Sequence, residues 1–352
     1  MTISIHKTFH LLGTILIVFI GLYFGKPVLS IGLSALLLSF MIYPLASKIE
    51  SWGVGRITAA ILAMGGLFTL INGCIYLFSN QILNLLGDFD QFQLKLSMLL
   101  QNVVDFFNHK IEIIPTFKQQ EIVDAGQALM KDSGLNMMSV TVNNLFGVFS
   151  GGVMIFVCCF LLLIYRGGLR KILVLMAEEG NRKQMSAMIG EIQQVGQQYL
   201  LGMGIVVVIL GVANSVILLL FGLEHAILFG LLAAVLAIIP YVGTALGAAI
   251  PVLFAFFTKD SIWIPLGIAG CFWCVQLAES NVLSPKIVGA QLKINALTAI
   301  VTLFIGGYLW GVAGMILFLP LTAIFRVMCN YIEPLKPIGL LMSDDLYQIR
   351  RK

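Results

Sequence analysis

The residues best suited to chemistry in this 352-residue sequence form a polar cluster between residues 276 and 289. The cluster contains one acid, Glu279, an amide on either side of it, Gln276 and Asn281, and the base Lys286. Long apolar stretches flank the cluster, so Glu279 is the acid expected within or at the edge of a membrane, as a cation ligand or a proton carrier. The alternative is a helix-end acid among lipid headgroups, paired with Lys286, and the sequence favours neither.

Other residues with suggestive spacing are better explained by packing. Cys271 and Cys274 have redox spacing, but they lack the exposed electropositive surroundings that activate a thiol. His6 and His10 are one helical turn apart without an evident third ligand, so we expect no metal and no cofactor. Asn214, inside an apolar stretch, more often bonds a neighbouring helix than a solute. No phosphate-binding loop is present, which argues against ATP as the direct energy source.

Glycine and proline interrupt the apolar stretch of residues 225–258. Pro240 and Pro251 each lack a backbone N–H, and they bracket Gly243 and Gly247. Unpaired backbone groups at membrane depth are tolerated only inside protein or beside a water-filled cavity. We therefore expect a discontinuous helix or a re-entrant hairpin with its tip near Pro240 to Gly247. The alternative is a kinked helix whose two glycines pack against a neighbour.

A second interruption lies in the apolar stretch of residues 294–325, where a run of glycines precedes Pro320. Two broken segments in one half of a chain indicate a binding site between them. The predicted solute or ion pathway combines both segments with the polar cluster: Pro240, Gly243, Gly247, Pro251, Gln276, Glu279, Asn281, Pro285, Gly289, Gly307, Gly311 and Gly314.

The composition places these residues in a membrane. Hydrophobic residues make up 59% of the chain and charged residues 11%, against about a quarter charged in an average soluble domain. Eight stretches free of acidic and basic residues are long enough to cross a hydrocarbon core of about 30 Å: 8–25, 27–47, 57–87, 133–165, 192–223, 225–258, 261–278 and 294–325. The predicted fold class is all-α, a polytopic membrane protein with about eight apolar segments, some broken or re-entrant. We expect a lipid bilayer as a partner and no nucleic acid.

The charges between these stretches predict orientation and organisation. Residues 166–191 carry five basic and three acidic residues, which favours the cytoplasm, whereas residues 88–132 carry four lysines and seven acids and favour the outside. Both termini are then cytoplasmic. The outer segment has the helical spacing of a small amphipathic helical insert. The predicted parts are N-terminal spans (1–87), the extracytoplasmic insert (88–132), a fourth span (133–165), a cytoplasmic amphipathic segment (166–198), a transport core with discontinuous helices (199–334) and a cytoplasmic tail (335–352).

The segments "GLLAAVLAIIPYVGTALGAAIPVLFA" and "QLAESNVLSPKIVGAQLKINALTAIVTLFIGGYLWGVAGMILFLPLTAIF" resemble the AI-2E family of transporters, the autoinducer-2 exporter family. The matching positions include Pro240, Gly243, Gly247 and Pro251, the polar series from Gln276 to Gly289, and the later glycines. The resemblance implies inner-membrane proteins that form homo-oligomers, pentamers in this family. It also implies export of autoinducer-2 in some members and sodium/proton exchange in others. One departure is Ala237, where family sequences often place an asparagine.

The broken segments favour a secondary transporter for a small polar solute. The resemblance implies export of a solute such as autoinducer-2, coupled to a sodium or proton gradient. The alternatives are a channel-like facilitator, in which the glycine breaks act as gates, and a sodium/proton antiporter. An intramembrane enzyme would need a nucleophile with a base or a metal cluster, and the sequence offers no such set. We therefore expect no enzymatic activity.

Overall fold

The computed structural model describes residues 5–87, 150–259, 261–289 and 292–344. Within these ranges the regular structure is helical, apart from one antiparallel bridge between Ile294 and Ser343. The all-α fold is thereby confirmed. The predicted insert of residues 88–132, the first part of the fourth span (133–149) and the last residues of the tail (345–352) lie outside the described residues.

The helices follow one another along the chain with short connections. The N-terminal part contains α1 (Ile5–Phe24), α2 (Lys26–Glu50), α3 (Arg56–Gly87) and α4 (Ser150–Leu175). The C-terminal part contains α5 (Arg182–Leu220), α6 (Ala226–Leu236), α7 (Val242–Thr258), α8 (Trp263–Ala278), α9 (Ala296–Trp310), α10 (Val312–Tyr331) and α11 (Lys336–Met342). Two π-helical turns, Glu279–Leu283 and Pro285–Gly289, prolong α8.

Helix lengths separate two kinds of apolar segment. Six of the described helices are long and apolar enough to cross a membrane, and three apolar helices, α6, α7 and α9, are shorter. At 1.5 Å per residue, α6 is about 16 Å long and α9 about 22 Å, less than the roughly 30 Å of a hydrocarbon core. The polytopic character is confirmed, and the short helices mark the two apolar stretches that are each divided between two helices.

The helices α2, α3 and α4 pack into a bundle of their own. Its core contains small side chains that let the helices approach closely; they include Ala35, Ala46, Ala59, Ala60 and Ala63. An ion pair closes one end, where Nη2 of Arg166 lies 2.5 Å from Oε2 of Glu50. The guanidinium of Arg166 also lies 4.9 Å from the centre of the Tyr43 ring, an arrangement that adds cation–π attraction.

The long helix α5 is the centre of the C-terminal part and contacts α2, α6, α8 and α10. Its buried stripe includes Val195, Tyr199, Val206 and Leu210, at the spacing of one helical face. The helix runs without interruption across residue 198, where the sequence suggested a boundary between a cytoplasmic segment and a span.

Both glycine-rich stretches form helical hairpins. In the first hairpin, α6 and α7 run antiparallel, since Gly247 contacts Ala233 and the Phe229 and Phe254 rings lie 4.8 Å apart. In the second, α9 and α10 run antiparallel, and the hydroxyls of Thr302 and Thr322 are 3.1 Å apart. The chain therefore reverses direction in both stretches. In the first stretch, this is the hairpin and not the kinked helix that the sequence left open.

Candidate functional site

A cavity of about 380 Å³ lies between α5, both arms of the first hairpin and α8. This volume is within the range of small-molecule pockets, roughly 300–1,000 Å³. Alanines form much of the wall, and the polar lining groups are Asn214, Thr244 and Gln276. Phe272 and Trp273 add aromatic surface. No charged side chain of the described chain lines the cavity, so it is suited to an uncharged polar solute.

The tip of the first hairpin is a strained turn beside this cavity. Tyr241 has φ 64° and ψ −59°, and the Val242 N–H donates to the Pro240 carbonyl at 2.7 Å. This is a γ-turn with positive φ, a rare and strained conformation for a residue with a side chain. Pro240 favours the break because it has no N–H and disfavours helical backbone in the residue before it. Such strain is often retained at functional sites.

Gly243 and Gly247 hold the two arms of the hairpin together. A Cβ atom at Gly243 would lie far inside van der Waals contact with the Leu236 carbonyl, and one at Gly247 would lie 2.9 Å from the Ala233 Cα. The two glycines therefore allow close helix packing, as the kinked-helix alternative expected. The helices that they bring together are the two arms of one hairpin. Gly247 also lines the cavity.

Pro251 does not interrupt its helix, although the sequence suggested that both prolines would. It is buried inside α7, which continues to Thr258. Pro320 is likewise inside α10. A helix can continue past an internal proline when its neighbours accommodate the freed backbone group. Of the two prolines that bracket the glycines, Pro240 alone lies at the break.

Asn214 of α5 is the lining residue that the sequence undervalued. It is 6% exposed, lines the cavity, and its Oδ1 is buried without a hydrogen-bond partner in the ranges that the structure describes. The sequence favoured a bond to a neighbouring helix, and the amide oxygen makes none. A buried unpaired acceptor costs about 1–3 kcal/mol, so its retention needs an explanation such as a ligand. The feature of the sequence that could have indicated this role is that Asn214 is a lone amide within an apolar stretch.

The polar cluster reaches the cavity through Gln276. Its Nε2 donates to Oε2 of Glu279 at 2.7 Å, and the Ser284 hydroxyl donates to Oε1 of the same carboxylate. Glu279 is half-buried and begins the first π-helical turn. π-helical turns are often found at functional sites. Lys286 is exposed and makes no ion pair with Glu279 in the described structure, so the pairing suggested as an alternative is not formed.

Three residues of the predicted pathway in this cluster lie away from the cavity. Asn281 is exposed, and its Nδ2 donates to the Leu277 carbonyl of its own helix at 2.8 Å. Pro285 and Gly289 bound the second π-helical turn and are exposed. The described cavity lining includes none of these three.

The second hairpin builds a packing contact, and its glycines are not among the residues that line the cavity. A Cβ atom at Gly306 would lie 2.6 Å from the Gly314 carbonyl oxygen, and one at Gly307 would lie 2.7 Å from the end of Met315. Gly311 forms the turn with φ 66° and ψ −141°. The wall of the described cavity comes from the first hairpin, α5 and α8, and the second hairpin contributes no residue to it.

Trp310, at the end of α9, ties the second hairpin to α1. Its Nε1 donates to the Leu22 carbonyl at 2.9 Å. That carbonyl belongs to the last turn of α1, where intrahelical partners run out. The bond anchors this hairpin to the N-terminal helices.

In the ranges that the structure describes, no three His, Cys, Asp or Glu side chains are grouped so as to hold a metal ion. Cys271 is half-buried and Cys274 exposed, and both are free thiols.

Comparison with known proteins decides the family. The model for AI-2E family transporters matches residues 12–333, which is most of the chain. The chain belongs to the AI-2E transporter family. The AI-2E family chain is 23% identical to TqsA of Escherichia coli (strain K12) over 346 residues, 98% of this chain and 97% of TqsA, which is named as an AI-2 transport protein.

Two Bacillus subtilis (strain 168) relatives, YrrI and YueF, are also named for transport. The match to YrrI is 35% identical over 147 residues, which cover 42% of this chain and 41% of YrrI. The match to YueF is 35% identical over 128 residues, covering 36% of this chain and 34% of YueF. The aligned region thus spans well under half of either protein. The family is one of transporters, the names of these relatives describe transport, and the AI-2E chain is a multi-pass membrane protein of this bacterial transport family.

Proposed function

We propose that this AI-2E family chain is a secondary transporter that exports a small polar solute such as autoinducer-2, driven by a sodium or proton gradient. The observation that carries the proposal is the cavity beside the broken hairpin, where the buried Asn214 oxygen has no partner among the described residues. The likeness to TqsA along nearly the whole chain supports autoinducer-2 as the first solute to test.

The first hairpin is proposed to be re-entrant. With a length of about 16 Å, α6 reaches only about half-way through a hydrocarbon core, and α7 returns beside it. The tip at Tyr241 would then lie at membrane depth, where discontinuous helices form the solute sites of many transporters. Movement of this hairpin against α5 and α8 would open the cavity to one side of the membrane and then to the other.

Glu279 is proposed to couple the driving ion to the solute. Its carboxylate is half-buried just after the apolar helix α8, and it is hydrogen-bonded to Gln276, which lines the cavity. Carboxylates in such positions act in proton relays and cation pathways. The glycines of the second hairpin are proposed to pack its two helices together and not to contact the solute.

The proposed setting is the bacterial inner membrane, with both termini in the cytoplasm and the chain assembled as a homopentamer. The orientation is supported by the basic residues of 166–191, and the oligomer by the family resemblance. Large apolar side chains such as Phe304 and Tyr308 on α9 are exposed and are available to lipid or to neighbouring copies.

A sodium/proton antiporter is the second candidate, favoured by the hydroxyl of Ser284 beside the Glu279 carboxylate. This carboxylate and the Ser284 hydroxyl are ligand types that suit a small hard cation. In this case the cavity would serve ion access rather than solute binding.

Flux measurements in proteoliposomes test both functions. The purified chain is reconstituted with autoinducer-2 inside and with sodium or proton gradients imposed separately. Saturable efflux that depends on one gradient supports the transporter. Gradient-driven exchange of sodium and protons that ignores autoinducer-2 supports the antiporter. Single-channel currents would contradict both and support a channel-like facilitator.

A further inference from the structure

The cavity contains two amides on different helices, and the structure indicates what each presents to a solute. Asn214 of α5 and Gln276 of α8 both line the cavity. Oδ1 of Asn214 is buried, and no donor in the described part of the chain is bonded to it, so Asn214 supplies an unsatisfied acceptor.

Glu279 fixes the orientation of the second amide. An ionised carboxylate can only accept hydrogen bonds, and an amide can turn either its oxygen or its nitrogen to a neighbour. Because Nε2 of Gln276 donates to Glu279 at 2.7 Å, the amide oxygen is the end of Gln276 left for the cavity. The Ser284 hydroxyl donates to the other carboxylate oxygen, Oε1, which holds the carboxylate in place.

We propose that Asn214 and Gln276 form a two-acceptor recognition site for an uncharged solute with hydroxyl donors, and that Glu279 is a positioning residue that selects donors by holding the Gln276 nitrogen away from the cavity. This inference rests on the proposed solute transport and assigns its specificity. Glu279 acts through Gln276 and makes no contact with the solute.

Among the charged residues of the helices around the cavity, Glu279 is the one that orients the Gln276 amide. Neither α6 nor α7, which pack beside the cavity, contains an acidic or basic residue. On α5 the charged residues Arg182, Lys183 and Glu191 lie in its first three turns, well before Asn214. Lys286, on the second π-helical turn, is exposed and unpaired with Glu279 in the described structure.

The test compares a donor-bearing probe with a matched probe that can only accept. Erythritol carries hydroxyl donors, and its tetramethyl ether carries none. The full-length protein is labelled with 5-fluorotryptophan, and binding is followed by the ¹⁹F signal of Trp273, which lines the cavity. The chain has four tryptophans, so the signal of interest is assigned by its loss in Trp273→Phe.

Wild-type protein is expected to bind erythritol at least about tenfold more tightly than the ether, the size of one good hydrogen bond. Asn214→Leu and Gln276→Met should each weaken erythritol binding by about tenfold. Glu279→Gln should bring the two affinities close together, because the new amide can accept as well as donate and so releases Gln276 to turn its nitrogen inward. Ser280→Ala is the control, because this exposed hydroxyl donates to the Gln276 backbone and not to its side chain.

A double variant separates positioning from structural damage. If Glu279 acts through Gln276, adding Glu279→Gln to Gln276→Met should change neither affinity further. The inference is overturned if Glu279→Gln keeps the wild-type preference, if its effect persists in the Gln276→Met background, or if wild-type protein fails to prefer erythritol. Absence of autoinducer-2 efflux with the erythritol preference intact would overturn the proposed export function and leave this inference standing.

Discussion

Individual side chains of the site are positioned by very short-range contacts. Glu279 is held by Gln276 and Ser284, both within five residues of it along the same helix. Gly243 and Gly247 allow backbone to approach backbone where any side chain would intrude. Two kinds of substitution therefore have sharply different expected effects: those that remove a charge and those that add volume.

Glu279→Gln is expected to abolish or uncouple transport while the protein still inserts and folds. The substitution keeps the size of the side chain and removes the charge that we propose couples an ion. Proteoliposome flux with and without an imposed gradient provides the measurement, and Glu224→Gln, at an exposed acid in the α5–α6 connection, is the matched control. Unaltered gradient dependence in Glu279→Gln would remove Glu279 from the coupling mechanism.

Gly243→Ala is expected to destabilise the protein by about 3 kcal/mol or more, because the added methyl group intrudes on the Leu236 carbonyl. Gly204→Ala, on α5, should instead be neutral or stabilising by up to about 1 kcal/mol, since its added methyl meets nothing within 4 Å beyond the adjacent backbone of its own helix. Thermal unfolding in detergent compares the two. Equal melting temperatures would show that the arms of the first hairpin can separate without cost.

The sequence predicted these glycines and Glu279 because their residue types carry a local signal. It did not predict that Asn214 supplies an unpaired acceptor, because one amide in an apolar helix has the same local pattern whether it faces a helix or a cavity. That distinction depends on the approach of α6 to α5, where a Cβ atom at Gly230 would lie 2.6 Å from the Ser215 Cα. Such a contact joins positions fifteen residues apart that meet only in the folded chain.

At the scale of helices, the two hairpins look alike in sequence and differ in what they do. The first ends in a strained γ-turn and contributes to the cavity, whereas the second is held by interlocked glycines and by Trp310. The sequence predicted that both apolar stretches are interrupted. It did not predict that, in the first stretch, the break lies at Pro240 and not at Pro251. Pro240 and Pro251 remove the same backbone donor, and the outcome depends on the tertiary contacts around each.

Gly311→Ala tests the second hairpin. Its φ of 66° with ψ −141° is a conformation that residues with side chains rarely adopt, so we expect destabilisation of roughly 1–3 kcal/mol with no change in solute preference. Gly66→Ala, on α3, has no atom within 4 Å of the new methyl and is the control. Thermal unfolding together with the erythritol and ether affinities provides the measurement. A changed preference would place this hairpin in the solute pathway.

At the scale of the whole molecule, the hairpins determine which side of the membrane each connection faces. If α6 and α7 enter and leave on one side, the connection before α8 is outside and the end of α8 is cytoplasmic, given a cytoplasmic N-terminus. A single crossing would reverse both. The charge pattern could not decide this, because few charged residues lie in these connections.

Cysteine labelling measures that topology. In a background without the six native cysteines, Ser261→Cys should react with a membrane-impermeant maleimide from the periplasmic side, and Lys286→Cys only after the cytoplasmic side is opened. Both positions are exposed in the structure. Arg182→Cys, at the start of α5, is the cytoplasmic reference. The opposite labelling of the two sites would contradict a re-entrant first hairpin.

The uninterrupted course of α5 has a mechanical consequence. A straight helix of 39 residues is about 58 Å long, nearly twice the thickness of a hydrocarbon core. One end contributes Asn214 to the cavity, and the other is secured where the Gln184 side chain donates to the Tyr331 carbonyl at 3.1 Å. A small tilt of the helix beside the solute would therefore move its opposite end by several ångströms and change the distance between Gln184 and Tyr331, where a spectroscopic reporter would register it.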